Sequence, residues 1–422
     1  ERAGKFGGQT IQLVPHLTGA IMESIAAAAE GSDVHLVEIG GTVGDYEGLA
    51  FVEAIREFGA QVGRDRCMYV HVVYVPYLGV SHEFKSKPAQ NALNDLRGYG
   101  IVPDVVAVRT DSTLPATEAI ADKISKFGGV PRDGVMMMPN CHTVYEVPLT
   151  VACYLDNKLS EFTGVSKKPA LASWRKLVSD DTKGFEQRVK IGLVAKYLDN
   201  TDTYISVAEA LKSAGWAEQV DADIRWIDAE NVTDDQLDEV DCILVPGGFG
   251  GRGVEGKIAA ATYALMHNKP YLGICLGLQV AVIAAARKSG LKHANSTEFD
   301  ADTNQNVVYI IPGQEGKQST GGTLRLGDYP AKLQSGSKVA GVYGATEVVE
   351  RHRHRYEVNQ AFLKDIEKGG IVVSGTSPDG KLVEFIEAPA CDYFVATQAH
   401  PEFKSRPMRA HPLFRGLIHA AK

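Results

Sequence analysis

The residues best suited to chemistry are Cys275, held between Gly273 and Gly277 at the end of the apolar run YLGI, and His400 and Glu402, which flank Pro401 near the end of the chain. Gly-x-Cys-x-Gly suits a sharp strand-to-helix turn that lifts a nucleophile above a sheet. Such a turn sets the sulfur at a helix N-terminus, where the dipole favours the thiolate. Pro401 makes a turn that lets Glu402 orient His400. A thiol, an imidazole and an orienting carboxylate together can attack a carbonyl and protonate a leaving amine. A third segment, PGGFG (Pro246–Gly250), follows the apolar CILV and offers successive backbone N–H groups to an oxyanion. Taken singly, each has a plainer reading, as a small buried hydrophobe or a surface histidine. Their joint occurrence favours nucleophilic catalysis.

A second set lies in the first third of the chain. VEIGGTVGDYEG (Val37–Gly48) reads as a strand, a glycine-rich turn and an acidic loop, with Glu38 placed to hold Mg²⁺ and Asp45 and Glu47 on the loop. SHEFKSKPAQNA follows the apolar YVPYLGV, so Lys85 and Lys87 flank Ser86 and Gln90 opens a helix, an arrangement suited to a polyphosphate. The plainer reading is a pair of solvated polar loops.

Alternating apolar runs and helical stretches must position these residues. QTIQLVP, DVHLVEIGG, CMYVHVVYVP, DVVAVRT and GVMMMP predict buried strands, with helices over IMESIAAAAE, GLAFVEAIREFGAQV and ALNDLRGYG. A polar stretch with a short helix follows, and then a second series: RVKIGLVAKY, DADIRWIDAEN, VDCILVPGGFG, KPYLGIC, TEVVERHRHRYEVN, GIVVSGTS, KLVEFIEAP and YFVATQAHPEF. Hairpin turns are expected around Pro378-Asp379-Gly380 and Pro389-Ala390-Cys391-Asp392. The organisation is α/β, with two doubly wound domains over 1–154 and 189–422 and a linker over 155–188. Ligands on such sheets bind at the carboxyl ends of the strands.

Composition narrows the function. The 422 residues carry 44 Lys+Arg against 52 Asp+Glu, a net charge of −8, which argues against a general nucleic-acid or membrane binder. Six scattered cysteines form no CxxC pair and no disulfide framework, so reduced thiols and a cytoplasmic location are expected.

PGGFG, LGICLGLQ and HPEF, in this order, resemble a class I (triad-type) glutamine amidotransferase domain. The resemblance implies a glutamyl thioester on Cys275, with His400 as base and then acid, and Glu402 orienting it. It implies an oxyanion hole from Gly248 and the amide of Leu276, and glutamine held by Gly248, Gln279, Glu298 and Arg355. With QLVPH, VEIGGTVGD, KSKPAQ, GGTLRLG and ERHRHRYEVN added, the chain from Gln12 to Phe403 resembles the CTP synthase family. That resemblance implies a P-loop-NTPase-like (dethiobiotin-synthetase-like) first domain and ATP-dependent amination of UTP by ammonia passed between domains. It further implies Mg²⁺ on Glu38, and UTP or inhibitory CTP among Asp45, Tyr46, Glu47, Lys85, Lys87, Gln90 and Lys123. GTP activation through GGTLRLG, with Arg325 as contributor, and a homotetramer follow from the same resemblance.

One departure is large: no GxxxxGK[ST] occurs, and the chain opens on ERAGKFGG without Met. The expectation is a synthetase domain that lacks its N-terminal part; the stretch NQNVVYIIPGQEGKQSTGG is also shorter than the family's usual insert. Two competing readings are a glutaminase attached to a non-functional synthetase fold, and a nucleotide-binding assembly protein.

Overall fold

The computed structural model describes residues 4, 6–114, 116–196, 198, 201–311 and 325–422. It divides into two compact units, Glu1–Val178 and Ser179–Lys422.

Unit 1 is built on three parallel strands in sequence order, β1 (Val70–Tyr74), β2 (Val105–Arg109) and β3 (Val135–Met138). Its helices are α1 (Thr18–Ala29), α2 (Leu49–Val62), α3 (Lys87–Gly98), α4 (Glu118–Gly128) and α5 (Val147–Thr163), and the chain passes from unit 1 to unit 2 within α6 (Ala172–Lys183). Side chains alternate across the sheet. Val106 and Val108 therefore pack with Leu93 of α3 and Ile124 of α4, while Val105 and Ala107 face the other way, with Leu155 of α5.

Two expected strands do not form. Residues 9–15 run into a helical turn at Leu13–Leu17, and residues 33–41 carry no strand, with Val34, Leu36 and Val37 exposed. An apolar run becomes a buried strand only where a neighbouring strand takes up its backbone groups. Among the described residues none pairs with 33–41. The stretch read as a linker containing a short helix holds the end of α5 and all of α6, and Leu155 packs in the core of unit 1.

Unit 2 carries the larger sheet. Its strands are β4 (Arg188–Ala195), β5 (Asp221–Asp228), β6 (Cys242–Val245), β7 (Tyr271–Ile274), β8 (Arg325–Leu333), β9 (Glu347–His354), β10 (Val372–Thr376), β11 (Val383–Glu387) and β12 (Phe394–Thr397). Their order is β9-β8-β10-β11-β12-β7-β6-β4-β5. From β12 to β5 the neighbours are parallel, and from β9 to β12 they are antiparallel. The predicted hairpins join β10 to β11 and β11 to β12. The segment TEVVERHRHRYEVN, read as one strand, divides at Arg355: β9 ends at His354, and Tyr356–Val358 joins a separate three-stranded sheet. Strand β8 was not expected.

Helices α7 (Ile205–Glu218) and α10 (Pro412–Ala421) cover one face, while α8 (Val254–His267) and α9 (Leu276–Lys288) cover the other. Every residue of α9 from Leu276 to Ala286 is buried, and its run of alanines and valines fits that crowding. Tyr271 fastens the helix to its own strand. Its hydroxyl donates to the Gly277 carbonyl at 2.8 Å, and its ring stacks on Phe394 with centroids 4.4 Å apart.

Candidate active site

Three adjacent parallel strands deliver the candidate residues. Strand β6 runs into PGGFG, β7 into Cys275, and β12 into the turn that carries His400. Cys275 is the N-cap of α9, with φ 53° and ψ −100°, a left-handed backbone that a residue with a side chain rarely adopts. The surroundings over-determine it. Its N–H donates to the Thr397 carbonyl at 2.7 Å, and its carbonyl accepts from Leu278 at 3.1 Å. A Cβ on Gly273 would stand 2.7 Å from the Gly277 backbone, and one on Gly247 would stand 2.9 Å from His400 Cε1. Both glycines are therefore required by close approach.

His400 Nδ1 and Glu402 Oε1 lie 2.7 Å apart, and the His400 N–H donates to the Arg351 carbonyl of β9 at 2.7 Å. The imidazole is held by its ring and by its backbone, and its Nε2 is buried without a hydrogen-bond partner. Burial draws its pKa down, but the neighbouring Cys275 sulfur and the Glu402 carboxylate push it up to about 10. Leu276 opens α9, so its N–H is among the donors that a helix leaves without an intrahelical acceptor. Gly248 lies against Leu276 and Lys196.

Two lysines that sequence reasoning passed over support the glycine-rich segment from below. Lys196, 1% exposed, donates to the carbonyls of Phe249 (3.3 Å) and Gly250, and Lys257, fully buried, donates to that of Pro246 at 3.0 Å. Burial lowers the pKa of both. With these carbonyls tied back, the segment's N–H groups face the other way, that of Gly250 toward Glu298. The available signal was a lysine ending the apolar run GLVA, and another on the buried face of α8.

Glu298 accepts from the Gly250 N–H at 2.8 Å; burial raises its pKa, while Gly250, Lys196 and Arg355 pull it down. An acidic and a basic side chain therefore stand near the oxyanion segment, matched to the two ends of an amino-acid zwitterion. The Gln279 amide is 3% exposed and donates to the Tyr356 carbonyl at 3.2 Å, which leaves its oxygen as the group available to an ammonium.

Arg325 takes a different place from a surface contact. It is 11% exposed, 2.6 Å from Glu384 and 3.8 Å from Glu357, with its guanidinium over the Tyr329 ring. Residues 321–324 of GGTLRLG lie outside the described residues.

In unit 1 the expected nucleotide residues are mostly exposed. Asp45 accepts from the Thr42 N–H at 3.2 Å, Tyr46 is 89% exposed, and Glu38, Glu47, Lys87 and Lys123 face solvent. Lys85 pairs with Glu83 at 2.5 Å, and Lys87 opens α3. Gln90 is buried and donates to Ser86 Oγ at 3.0 Å. Among the described residues no hydrogen bond or ion pair joins Glu38, Asp45 or Lys123 to the Lys85–Gln90 segment.

Comparison with known proteins decides the family. Residues 1–162 match the family described as CTP synthase N-terminus, and residues 200–420 match glutamine amidotransferase class-I. A CTP synthase of Roseiflexus sp. (strain RS-1) is 48% identical over 431 residues, covering 100% of this chain and 77% of its own length. The chain belongs to the CTP synthase family. CTP synthases of Methanocaldococcus jannaschii and Bacillus subtilis (strain 168) are each 45% identical, with 100% of this chain and 80% of theirs covered. The solved glutaminase domain of Trypanosoma brucei CTPS, with bound acivicin, is 40% identical with a TM-score of 0.52; it covers 55% of this chain and 93% of that one. The reaction of a CTP synthase is ATP-driven amination of UTP with nitrogen from glutamine. The readings of a bare glutaminase and of an assembly protein are not favoured.

Proposed function

We propose that Cys275, His400 and Glu402 carry the glutaminase half of the CTP synthase reaction. The observation that supports this most is the buried imidazole, tied to Glu402 at 2.7 Å and held protonated beside the sulfur. The Cys275 thiolate attacks the side-chain amide carbon of glutamine, and the carbonyl oxygen takes the negative charge. The N–H groups of Gly248 and Leu276 receive that charge. As the C–N bond breaks, His400 Nε2 gives its proton to the nitrogen, which leaves as ammonia. Water then gives a proton to His400 and its oxygen attacks the thioester carbon, releasing glutamate and the thiolate. Gly248, Gln279, Glu298 and Arg355 hold the substrate, with Arg355 on its carboxylate and Glu298 on its ammonium.

Glu402→Gln is the direct test. Loss of the carboxylate charge is expected to lower kcat for glutamine hydrolysis by about 10²- to 10⁴-fold with the KM for glutamine little changed. A KM effect without a kcat effect would remove Glu402 from the triad.

The ammonia passes to unit 1, where ATP activates the uracil O4 by phosphorylation and ammonia displaces phosphate. Asp45, Tyr46, Glu47, Lys85, Lys87, Gln90 and Lys123 are the proposed contacts of UTP and inhibitory CTP. Among the described residues no three carboxylate, imidazole or thiol ligands converge. Glu38 would therefore hold Mg²⁺ together with phosphate oxygens and water, the usual form of a nucleotide-bound magnesium, and the bound ion would neutralise phosphate charge. GTP activation is assigned to the 321–327 segment, with the Arg325 guanidinium itself committed to Glu384 and Glu357. A homotetramer in the cytoplasm completes the proposal; among the described residues no helix is long and apolar enough to cross a membrane.

Lys87→Ala is expected to raise the KM for UTP by about tenfold, the loss of one charge-assisted phosphate contact, while glutamine hydrolysis without nucleotide is unchanged. Equal loss of both activities in a steady-state assay would point to a folding defect instead.

A further inference from the structure

We propose that Gln398 is a further catalytic residue of the glutaminase, an amide N–H donor to the Cys275 sulfur whose orientation is set by a relay from the Tyr356 carbonyl through Gln279. The inference rests on Cys275 being the nucleophile and adds a group that neither the triad nor the oxyanion hole includes.

Gln398 is fully buried, the residue that follows β12, with its backbone N–H donating to the Glu384 carbonyl of β11 at 2.9 Å. Its Nε2 lies 3.6 Å from Cys275 Sγ, within the range of an N–H···S hydrogen bond, and its Oε1 lies 3.3 Å from Gln279 Nε2. An amide can be turned over without changing its shape, so which end faces the sulfur must be argued from the partners. Here they decide it. The Tyr356 carbonyl only accepts, and it lies 3.2 Å from the Gln279 amide, so the Gln279 NH₂ must point that way. The second hydrogen of that NH₂ then needs an acceptor, which among the described residues the oxygen of Gln398 supplies at 3.3 Å. Turning Gln398 over would set two NH₂ groups against each other. The NH₂ of Gln398 is therefore left facing the sulfur.

His354 Nδ1 also lies 3.1 Å from the Tyr356 carbonyl, and His352 Nδ1 lies 3.0 Å from His354 Nε2. Both imidazoles are 2% exposed or less, and the start of the relay is thus anchored in a packed layer rather than in solvent. An N–H donor favours the charged sulfur over the thiol, because a thiolate is much the better acceptor. Gln398 acts in the same sense as the His400 imidazolium, from a different direction and without titrating itself. In the step that breaks the C–S bond, it receives the returning negative charge.

The test is the pH dependence of Cys275 alkylation by iodoacetamide in the full chain, with the site of alkylation read by peptide mass and glutamine hydrolysis followed in parallel. Gln398→Leu removes the donor. Gln398→Glu keeps the acceptor for Gln279 but sets a carboxylate oxygen at the sulfur. The alkylation midpoint is expected to rise by about one pH unit in the leucine variant and by more in the glutamate variant, with kcat lowered about tenfold or more and the KM for glutamine moved less than threefold. An unchanged midpoint in a folded variant overturns the role of Gln398. Should Gln398→Leu fail to fold, Gln398→Glu decides the matter alone. If alkylation at Cys275 leaves glutamine hydrolysis of the unmodified sequence intact, the nucleophile assignment fails instead, which is a distinct result.

Discussion

Replacing Cys275 by alanine is expected to lower glutamine hydrolysis by at least about 10⁴-fold, since no second nucleophile stands on the strand-to-helix turn. Glutamate release, followed directly, is the measurement. CTP formation supported by ammonia instead of glutamine is expected to stay within about twofold of that of the unmodified protein, because ammonia enters after the thioester chemistry. Loss of both would mean that the two half-reactions are not separable at Cys275. The same variant carries a second signature at His400. Burial draws the His400 pKa down, and it is the Cys275 sulfur together with Glu402 that holds it at about 10. With the sulfur gone, burial is opposed by Glu402 alone, and the imidazole is expected to titrate about two units lower or more. An NMR titration of labelled histidine would read this without any turnover assay. An unmoved midpoint would mean that the sulfur is not the charge His400 faces.

The second large effect is on stability. Arg325→Ala is expected to destabilise unit 2 by about 3–5 kcal/mol, the usual consequence of removing one partner from a buried ion pair. Glu384 and Glu357 are each 1% exposed, and neither has water to fall back on. Stacking of the guanidinium on Tyr329, with its carbon 4.4 Å from the ring centroid, is lost as well. The loss depends on pH with a definite sign. Burial, then the nearby Glu384, raises the Glu357 pKa to about 8 even with Arg325 present. A carboxyl raised in the folded state stabilises fully below its unfolded value and ceases to do so as pH rises through the folded one. The deficit of the variant is therefore expected to be larger at pH 8 than at pH 5. Denaturant midpoints at the two pH values would measure it. A variant as stable as the unmodified protein, but with altered GTP response, would return Arg325 to the role of a direct contact. By contrast, breaking the exposed Lys85–Glu83 pair should leave stability nearly unchanged, because water screens both charges.

These two predictions differ in how far they could be reached from the sequence. The segments around Cys275, Gly248 and His400 sit at strand ends, and there a few residues of spacing determine where a side chain emerges. That is why the strand-to-helix turn, the glycine-rich segment and the His-Pro-Glu turn could all be drawn before any coordinates. Arg325 had no such constraint. An arginine between glycines reads as a loop residue, and only the pairing of β8 with β9, register Arg325 to His354, carries it inward to meet Glu384 on β11. The strand expected over 33–41 failed for the complementary reason. Its apolar run is a fair strand by composition, but a parallel strand needs a neighbour for its backbone, which no local pattern can report.

Gln398 shows the same limit within the site itself. TQAHPEF names the histidine and the glutamate by their chemistry, whereas a glutamine in a buried strand is ordinarily only a satisfied polar group. Its meaning arises because β12 lies beside β7, and because the carbonyl of Tyr356, 77 residues from Gln279, fixes which end of each amide points where. Lys196 and Lys257 likewise gain their place under PGGFG from the packing of β4 and α8 on β6.

The sequence by itself determined the class of chemistry, the two α/β series and the residues that could react, since these follow from residue type and from spacing within one element. The tertiary structure alone decided the protonation of His400, the burial of Arg325 and the orientation of the amides around Cys275. Those depend on which distant groups share a small volume with little water, where one charge or one acceptor-only carbonyl outweighs any local preference.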